Sequence, residues 1–287
     1  MDEITTWQQA MDYTFKTRHT WRHGNGSATS RINCNHFTRL RGGSFPIKKL
    51  SQIILTGVCI ELEDEGKSDA TINRVISAVS TVINHCAFDG LIESAPKFRR
   101  RKEEESRLFW YTKDEVAKLS GLSTEVYMRE DLSDIILAAA YTGMRQGELL
   151  KIRKKDIDFE CNRIHVGGVP TQKTKASNWR AIPIHDCIWE ILHLRCSQSS
   201  RADVRLFGND WSDKDQLLRA FKKVNKLLPK DEQYVFHTLR HSYATWLAEA
   251  GVPIRSIMAL CGHKRIETTL RYAKATDSAL SEAMVAI

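Results

Sequence analysis

"DLSDIILAAAYTGMRQGELLKI", Asp131 to Ile152, holds two unlike halves. The first, through Thr142, is apolar almost without interruption, which marks a helix buried on all sides. Gly143 ends it, as glycine does where a helix closes in a left-handed turn. Arg145 follows at once and opens a second helix, with Glu148 one turn on. Arg145 and Glu148 are spaced for a local ion pair. A core helix that delivers an arginine at its exit also suits a functional site, so the neighbouring segments decide.

Around this stretch lies a mixed unit. "YTKDEVAKL" opens a helix with a capping box, Thr112 to Glu115. "DIDFECNRIHVGG" and "NWRAIPI" alternate as strands of a small antiparallel sheet. "SDKDQLLRAFKKVNKLL", "LRHSYATWLAEAG" and "PIRSIMALCG" return to helical spacing. Asp156 and Asp158 could serve a metal-dependent nuclease, but they also suit a capped turn entering a strand. Cys187, His193 and Cys196 have spacing that fits an amphipathic helix better than a metal site. Seven scattered cysteines without a CxxC pair read as reduced thiols.

Toward the N-terminus, "PKFRRRKEEESR", Pro96 to Arg107, is a run of cations followed by anions without apolar periodicity, and reads as a linker. Before it, "TWQQAMDYTFKTRHTW", "FPIKKLSQIILTGVCIELEDEG" and "SDATINRVISAVSTVINHCAFDG" have helical spacing. In the last of these Val75, Val79, Val82 and Ile83 share a face. Ser68 or Thr71 caps its start, which places Asn73 and Arg74 in the first turn. The expected fold is mainly α with a small antiparallel β-sheet. The expected boundaries are a helical domain at 1–95, a linker at 96–108, a mixed α and β domain at 109–275 and a tail helix at 276–287.

Charge supplies the partner class. The 287 residues carry a formal net charge of +8. From Tyr13 to Ile60 there is no Asp or Glu, in a chain with 35 of them. The same stretch holds Lys16, Arg18, Arg22, Arg31, Arg39, Arg41, Lys48 and Lys49, with Trp21, Phe37 and Phe45 interleaved. Such a surface suits a polyanion, which gains by counterion release. Arg39, Arg41, Lys48, Lys49, Asn73 and Arg74 are the candidate DNA contacts. No apolar run reaches transmembrane length, and the start "MDEITTWQQAMDYTF" is acidic and polar, unlike a secretory leader. A cytoplasmic protein without membrane contact is expected.

Four pieces carry the chemistry. "YTGMRQGELLKI" gives Arg145 and Glu148, and "TQKTKASNWRAIPI" gives Lys173 and Lys175. "FHTLRHSYAT" sets His237 and Arg240 three apart, on one helical face. "GHKRIETTLRYAK" sets Tyr272 nine residues after His263. In order and with these flanks, the set resembles the tyrosine recombinase family of phage-integrase type, across essentially the whole chain. "TGMRQGELL" is similar to the family's first arginine box, "HTLRHSYAT" to its His-x-x-Arg box, and "LCGHKRIETTLRYA" to the box that ends in the nucleophile. The family's usual spacing to the strand proline, Pro183, selects Lys175, with Lys173 second. Against the family pattern, the chain is expected to start at the core-binding domain, with no room for an arm-site domain.

The resemblance implies a DNA cleavage and rejoining enzyme. Tyr272 would attack a phosphodiester and form a 3′-phosphotyrosyl bond. An unperturbed phenol has a pKa near 10, so about one in a thousand is ionised at neutral pH. Arg145 and Arg240 would hold the non-bridging oxygens. His237 would be a general base, His263 a phosphate ligand, Lys175 the acid for the departing 5′-oxygen, and Glu148 an orienting partner. No metal or nucleotide cofactor is implied, because the covalent link conserves the bond energy. The implied partners are double-stranded DNA attachment or core sites, a homotetramer on DNA, and accessory bending or directionality factors. A type IB topoisomerase shares this chemistry, and a non-catalytic DNA-binding regulator would share the scaffold without needing the tyrosine.

Overall fold

In the computed structural model, the described residues are 4–24, 26–103, 108–167, 179–211, 213–230 and 234–273. The chain divides into two compact units, Met1–Ser106 and Arg107–Ile287.

The first unit is helical. α1 (Trp7–Thr17) starts at a capping box between Thr6 and Gln9. The sequence expectation of one helix through Trp21 gives way at Arg18, which is extended, and α2 (His19–His23) follows as a separate short turn. α3 (Ser27–Arg41) runs through the acid-free stretch, where no helix was expected. A 3-10 turn at Ile47–Lys49 precedes α4 (Gln52–Asp64), which Ser51 caps. α5 (Asp69–Phe88) settles the choice of cap: Ser68 accepts from the Thr71 N–H. The core gathers around Trp7 and Phe37, whose rings are 4.6 Å apart, with Leu55, Leu62, Ile72 and Ile83. Trp7 is fully buried and its Nε1–H donates to Thr38 Oγ1 at 2.8 Å. Its truncation to Ala would cost about 3–5 kcal/mol.

Two sequence readings change here. Residues 96–103, expected in the linker, are tied to this unit. The Arg99 N–H donates to Gln52, Arg101 pairs with Asp69 and Glu63, and Phe98 packs against the core. Asn73, expected to contact DNA, is 6% exposed and spent on that attachment. Its amide donates to the Arg101 carbonyl at 2.9 Å and to Glu103 at 2.8 Å, and its oxygen accepts from the Arg101 N–H at 2.9 Å. Both N–H donors of this buried amide are committed, which leaves it poorly placed to read a base.

The second unit is built around α7 (Glu130–Thr142), packed by α6 (Lys113–Glu125) and helices that follow. The capping box of α6, Thr112 with Glu115, forms as expected. α7 buries Leu132, Ile135, Ile136 and Ala138 to Ala140, and Gly143 closes it at φ +59°. A side chain at Gly143 would collide with the Tyr243 ring. α8 (Gln146–Leu149) starts three residues later. Three strands, β1 (Ile157–Asp158), β2 (Arg163–Val166) and β3 (Arg180–Pro183), pair antiparallel in that order, with Ile164 opposite Ile182. The mainly α architecture with a small antiparallel sheet is thus as expected. Asp156 accepts from the Arg153 N–H and Asp158 from the Cys161 N–H, so the two carboxylates cap turns around β1.

After β3 come α9 (Asp186–Ser197), α10 (Lys214–Asn225), α11 (Thr238–Glu249), α12 (Ile254–Cys261) and α13 (Ile266–Ala273). The segment entering α6 is pinned on α11: the Tyr111 N–H donates to Ser242 Oγ, and Trp246 Nε1–H donates to the Tyr111 carbonyl. No helix among the described residues is long and apolar enough to cross a membrane.

Candidate active site

The last turn of α12 organises the site. Its final carbonyls lack intrahelical partners and carry the negative end of the helix dipole, so they attract cations. Three arginines from three elements take three successive carbonyls. Arg180 Nε–H, from β3, donates to Leu260 O at 2.9 Å. Arg240 Nη2–H, from α11, donates to Cys261 O at 2.6 Å. Arg145 Nη2–H, from the start of α8, donates to Gly262 O at 3.1 Å. Gly262 makes this turn at φ +66°, and a Cβ there would stand 2.8 Å from Arg180 Nη1. Glycine is required for both reasons.

Arg240 also donates through Nη1 to the Gly143 carbonyl at 2.6 Å, which links the end of α7 to the end of α12. It is 3% exposed, and two of its five N–H groups are accounted for by these bonds. Arg145 is exposed. Glu148 joins the arginines. Its carboxylate accepts the Arg145 backbone N–H at 2.9 Å and Arg145 Nη1 at 3.2 Å, and takes a two-bond fork from Arg180 at 3.1 and 2.7 Å. Burial pushes the Glu148 carboxyl up, but the Arg180 fork and the Arg145 N–H outweigh it and hold it at about 2.

The histidines and the tyrosine lie on the adjoining helices. The Tyr272 hydroxyl and His241 Nδ1 share a hydrogen bond of 2.6 Å, and Tyr272 is 2% exposed. Burial pushes the phenol up to about 12. The rings of His237 and His241 meet edge to face at 5.1 Å, and those of His263 and Tyr272 stack at 6.2 Å. His263 Nδ1 bonds Thr269 Oγ1 at 2.9 Å. Burial, then the charges of Arg240 and Arg145, lower His263 to about 4 and also lower His237. Burial, then His237 and Arg271, lower His241 to about 4. All three imidazoles are therefore neutral at pH 7.

A guanidinium pair with one exposed member, neutral imidazoles and a phenol, gathered at one helix end, suit phosphoryl transfer to a tyrosine oxygen. The family model described as "Phage integrase family" matches residues 110–279. The chain belongs to the phage integrase family. It is a tyrosine site-specific recombinase, an enzyme that cleaves and rejoins DNA.

Among relatives of this recombinase, tyrosine recombinase XerA of Thermococcus onnurineus is 31% identical over 236 residues, covering 78% of this chain and 77% of that protein. Tyrosine recombinase XerD of Oceanobacillus iheyensis is 26% identical over 249 residues, covering 82% and 81%. The fold is shared with the Tn1549 transposon integrase solved in complex with transposon right end DNA, at TM-score 0.78 and 20% identity over 97% of this chain and 98% of that one. It is shared too with a lambda integrase dimer bound to a COC′ core site, at TM-score 0.72 and 19% identity over 93% and 77%.

Of the residues expected in the site of this recombinase, Arg145, Glu148, Arg240 and His263 meet at the end of α12, and His237 and Tyr272 adjoin them. Lys175 and Lys173 lie outside the described residues, as does the tail at 276–287. Among the expected DNA contacts, Arg39 pairs with Glu65 and Arg41 with Glu61, acids that follow the acid-free stretch. Lys48, Lys49 and Arg74 are exposed. Two site residues escaped the sequence reading. Alternation in "NWRAIPI" puts Arg180 on the inward face of β3 with Ile182, and a charge at an inward position needs an acid partner. His241 follows His237 at i+4, on the same helical face.

Proposed function

We propose that this recombinase serves a phage or another mobile element, cutting attachment-type sites through a 3′-phosphotyrosyl bond on Tyr272. The observation that carries this reading is the convergence of Arg145 and Arg240 on the C-terminal turn of α12, two residues from His263 and beside the Tyr272 helix. The two guanidiniums neutralise the non-bridging oxygens of the scissile phosphate, where charge accumulates. His263 Nδ1 and Thr269 Oγ1 share a hydrogen bond, and in the tautomer where the hydroxyl donates, the ring proton is on Nε2 and free to donate to a phosphate oxygen. His237, held neutral, can accept a proton. Lys175 protonates the departing 5′-oxygen, with Lys173 second in line. Charge that a metal supplies elsewhere comes here from arginine.

In the same reading Arg39, Arg41, Lys48, Lys49 and Arg74 bring the first unit onto the DNA backbone. Strand exchange requires a synaptic homotetramer, in which the 276–287 segment passes between protomers around a closed ring. Accessory bending or directionality factors act on the same DNA.

The test uses nicked fragments of the DNA flanking the gene, incubated with the full chain and resolved under denaturing conditions. A protein–DNA adduct is expected with EDTA present, mapping to Tyr272 and absent in Tyr272→Phe, which still binds. An adduct that persists in Tyr272→Phe removes the nucleophile assignment. Relaxation of any supercoiled plasmid by a monomer, without strand exchange, would favour a topoisomerase.

A further inference from the structure

Arg180 is the one arginine of this cluster to which the chemistry above gives no part. It is 8% exposed, and burying a guanidinium is costly unless its charge and donors are matched. They are matched: Nε–H goes to Leu260 O, and both terminal nitrogens go to Glu148. Gly262 lies so close that no Cβ fits between. The Arg180 side chain thus touches β3, α8 and the end of α12 at once, and none of its three nitrogens faces outward unpaired.

We propose that Arg180 is a positioning residue that keeps the Arg145 guanidinium available to the scissile phosphate, a role that rests on the phosphate-binding role of Arg145 proposed above. The charge count gives the reason. Glu148 must stay close to Arg145, because its carboxylate accepts the Arg145 backbone N–H and so fixes the turn from which that side chain departs. A lone carboxylate at that place would also capture the Arg145 guanidinium and cancel its charge. Arg180 prevents this. It engages both carboxylate oxygens, at 3.1 and 2.7 Å, while the Arg145 side-chain contact is the longest of the four at 3.2 Å. Two guanidiniums and one carboxylate leave one positive charge, and it resides on the exposed partner, Arg145. The bond from Arg180 to Leu260 O then ties this assembly to the turn that also holds Arg240 and precedes His263.

A purely structural brace between β3 and α12 would predict that every disruption only adds damage. Charge positioning predicts that a second substitution repairs the first. The probe is the half-site DNA that the wild-type chain links covalently; a wild-type chain that links none defeats the proposed function and leaves nothing to position. Arg180→Met strands the Glu148 carboxylate on Arg145. It is expected to bind the half-site within about threefold of wild type and form adduct about 100-fold more slowly. Arg180→Met with Glu148→Gln removes the stranded charge but keeps an acceptor for the Arg145 N–H. It is expected to cleave at least about tenfold faster than Arg180→Met alone. Adduct formation by Arg180→Met within about threefold of wild type, or a double variant no faster than the single, overturns the proposal. Each variant is checked for a cooperative thermal melt. Should Arg180→Met fail that check, Arg180→Lys, which keeps the charge and loses the fork, is expected to bind normally and cleave at least about tenfold more slowly. Equal cleavage overturns the proposal, and so does loss of cooperative melting in both single variants.

Discussion

His241 Nδ1 lies 2.6 Å from the Tyr272 hydroxyl. The distance is right for proton transfer, but the energetics are not. Burial holds the phenol at about 12 and the imidazole at about 4. Moving the proton across is therefore uphill in this arrangement. The pair is a resting hydrogen bond of the DNA-free protein.

The same shifts set the acid stability of the catalytic unit. His241 and His263 fall from 6.5 to about 4 on folding, so the unfolded chain binds protons that the folded one refuses. Stability is complete above pH 6.5 and is lost as pH falls from 6.5 toward 4. Full protonation costs up to about 3 kcal/mol for a histidine so shifted. Glu148 extends the loss, because its contribution is present above 4.5 and disappears as pH falls toward 2. The melting temperature should drop between pH 6.5 and 4. His241→Gln can still bond Tyr272 but does not titrate, so its profile should be shallower there. Parallel profiles would refute the buried neutral imidazole.

Gly262→Ala tests the turn that receives the arginines. Alanine at φ +66° is strained, and its Cβ would press on Arg180 Nη1. A loss of about 1–3 kcal/mol is expected in a denaturant titration, with adduct formation falling further than stability alone explains. Wild-type adduct formation would mean that the arginines tolerate a displaced turn.

Asn73 and Arg74 are neighbours with opposite expected phenotypes. Asn73→Ala removes the amide bonds that hold residues 101 and 103 to α5, leaving Arg101 only its ion pairs with Asp69 and Glu63 and its part-buried backbone groups unpaired, so it should destabilise the first unit by about 1–3 kcal/mol. Its salt dependence of DNA binding should be unchanged. Arg74→Ala, at an exposed position, should keep stability within about 0.5 kcal/mol and lower the slope of log affinity against log salt by about 0.9. An unchanged slope for Arg74→Ala removes it from the DNA interface.

What could be read beforehand follows from where the information sits. The apolar run ending at Gly143, the Thr112 capping box and the alternation of β2 and β3 are local signals, and the elements formed as expected. α3 was missed because only Cys34 and Phe37 of its residues are buried and Gly26 at its start offers no side-chain cap. Its helicity depends on packing against α5, which no local window contains. The first linker residues were missed for a related reason: a charged run looks solvated until Asn73, Asp69 and Glu63 are brought beside it. In the site, Arg145, Glu148, His237, Arg240, His263 and Tyr272 could each be picked out of their own boxes, and the structure gathers them at and beside the end of α12. That Arg180, Arg240 and Arg145 share one helix end was not, since backbone carbonyls leave no mark in a sequence.

Lys175 and Lys173 both fall in the stretch of chain between β2 and β3, outside the described residues. Departure of a 5′-alkoxide needs a proton, because its conjugate acid is as weak as an ordinary alcohol. A thiolate needs none, since a thiol ionises near pH 8.5. A half-site with sulfur at the bridging 5′ position therefore makes the acid dispensable while leaving every other contact in place. Lys175→Ala should cleave the oxygen substrate about 10²–10⁴-fold more slowly than wild type and the sulfur substrate at the wild-type rate. Lys173→Ala should be close to wild type on both. The reverse pattern would make Lys173 the acid. Equal defects of both variants on both substrates would mean that neither lysine delivers the proton, and that these residues serve to hold DNA.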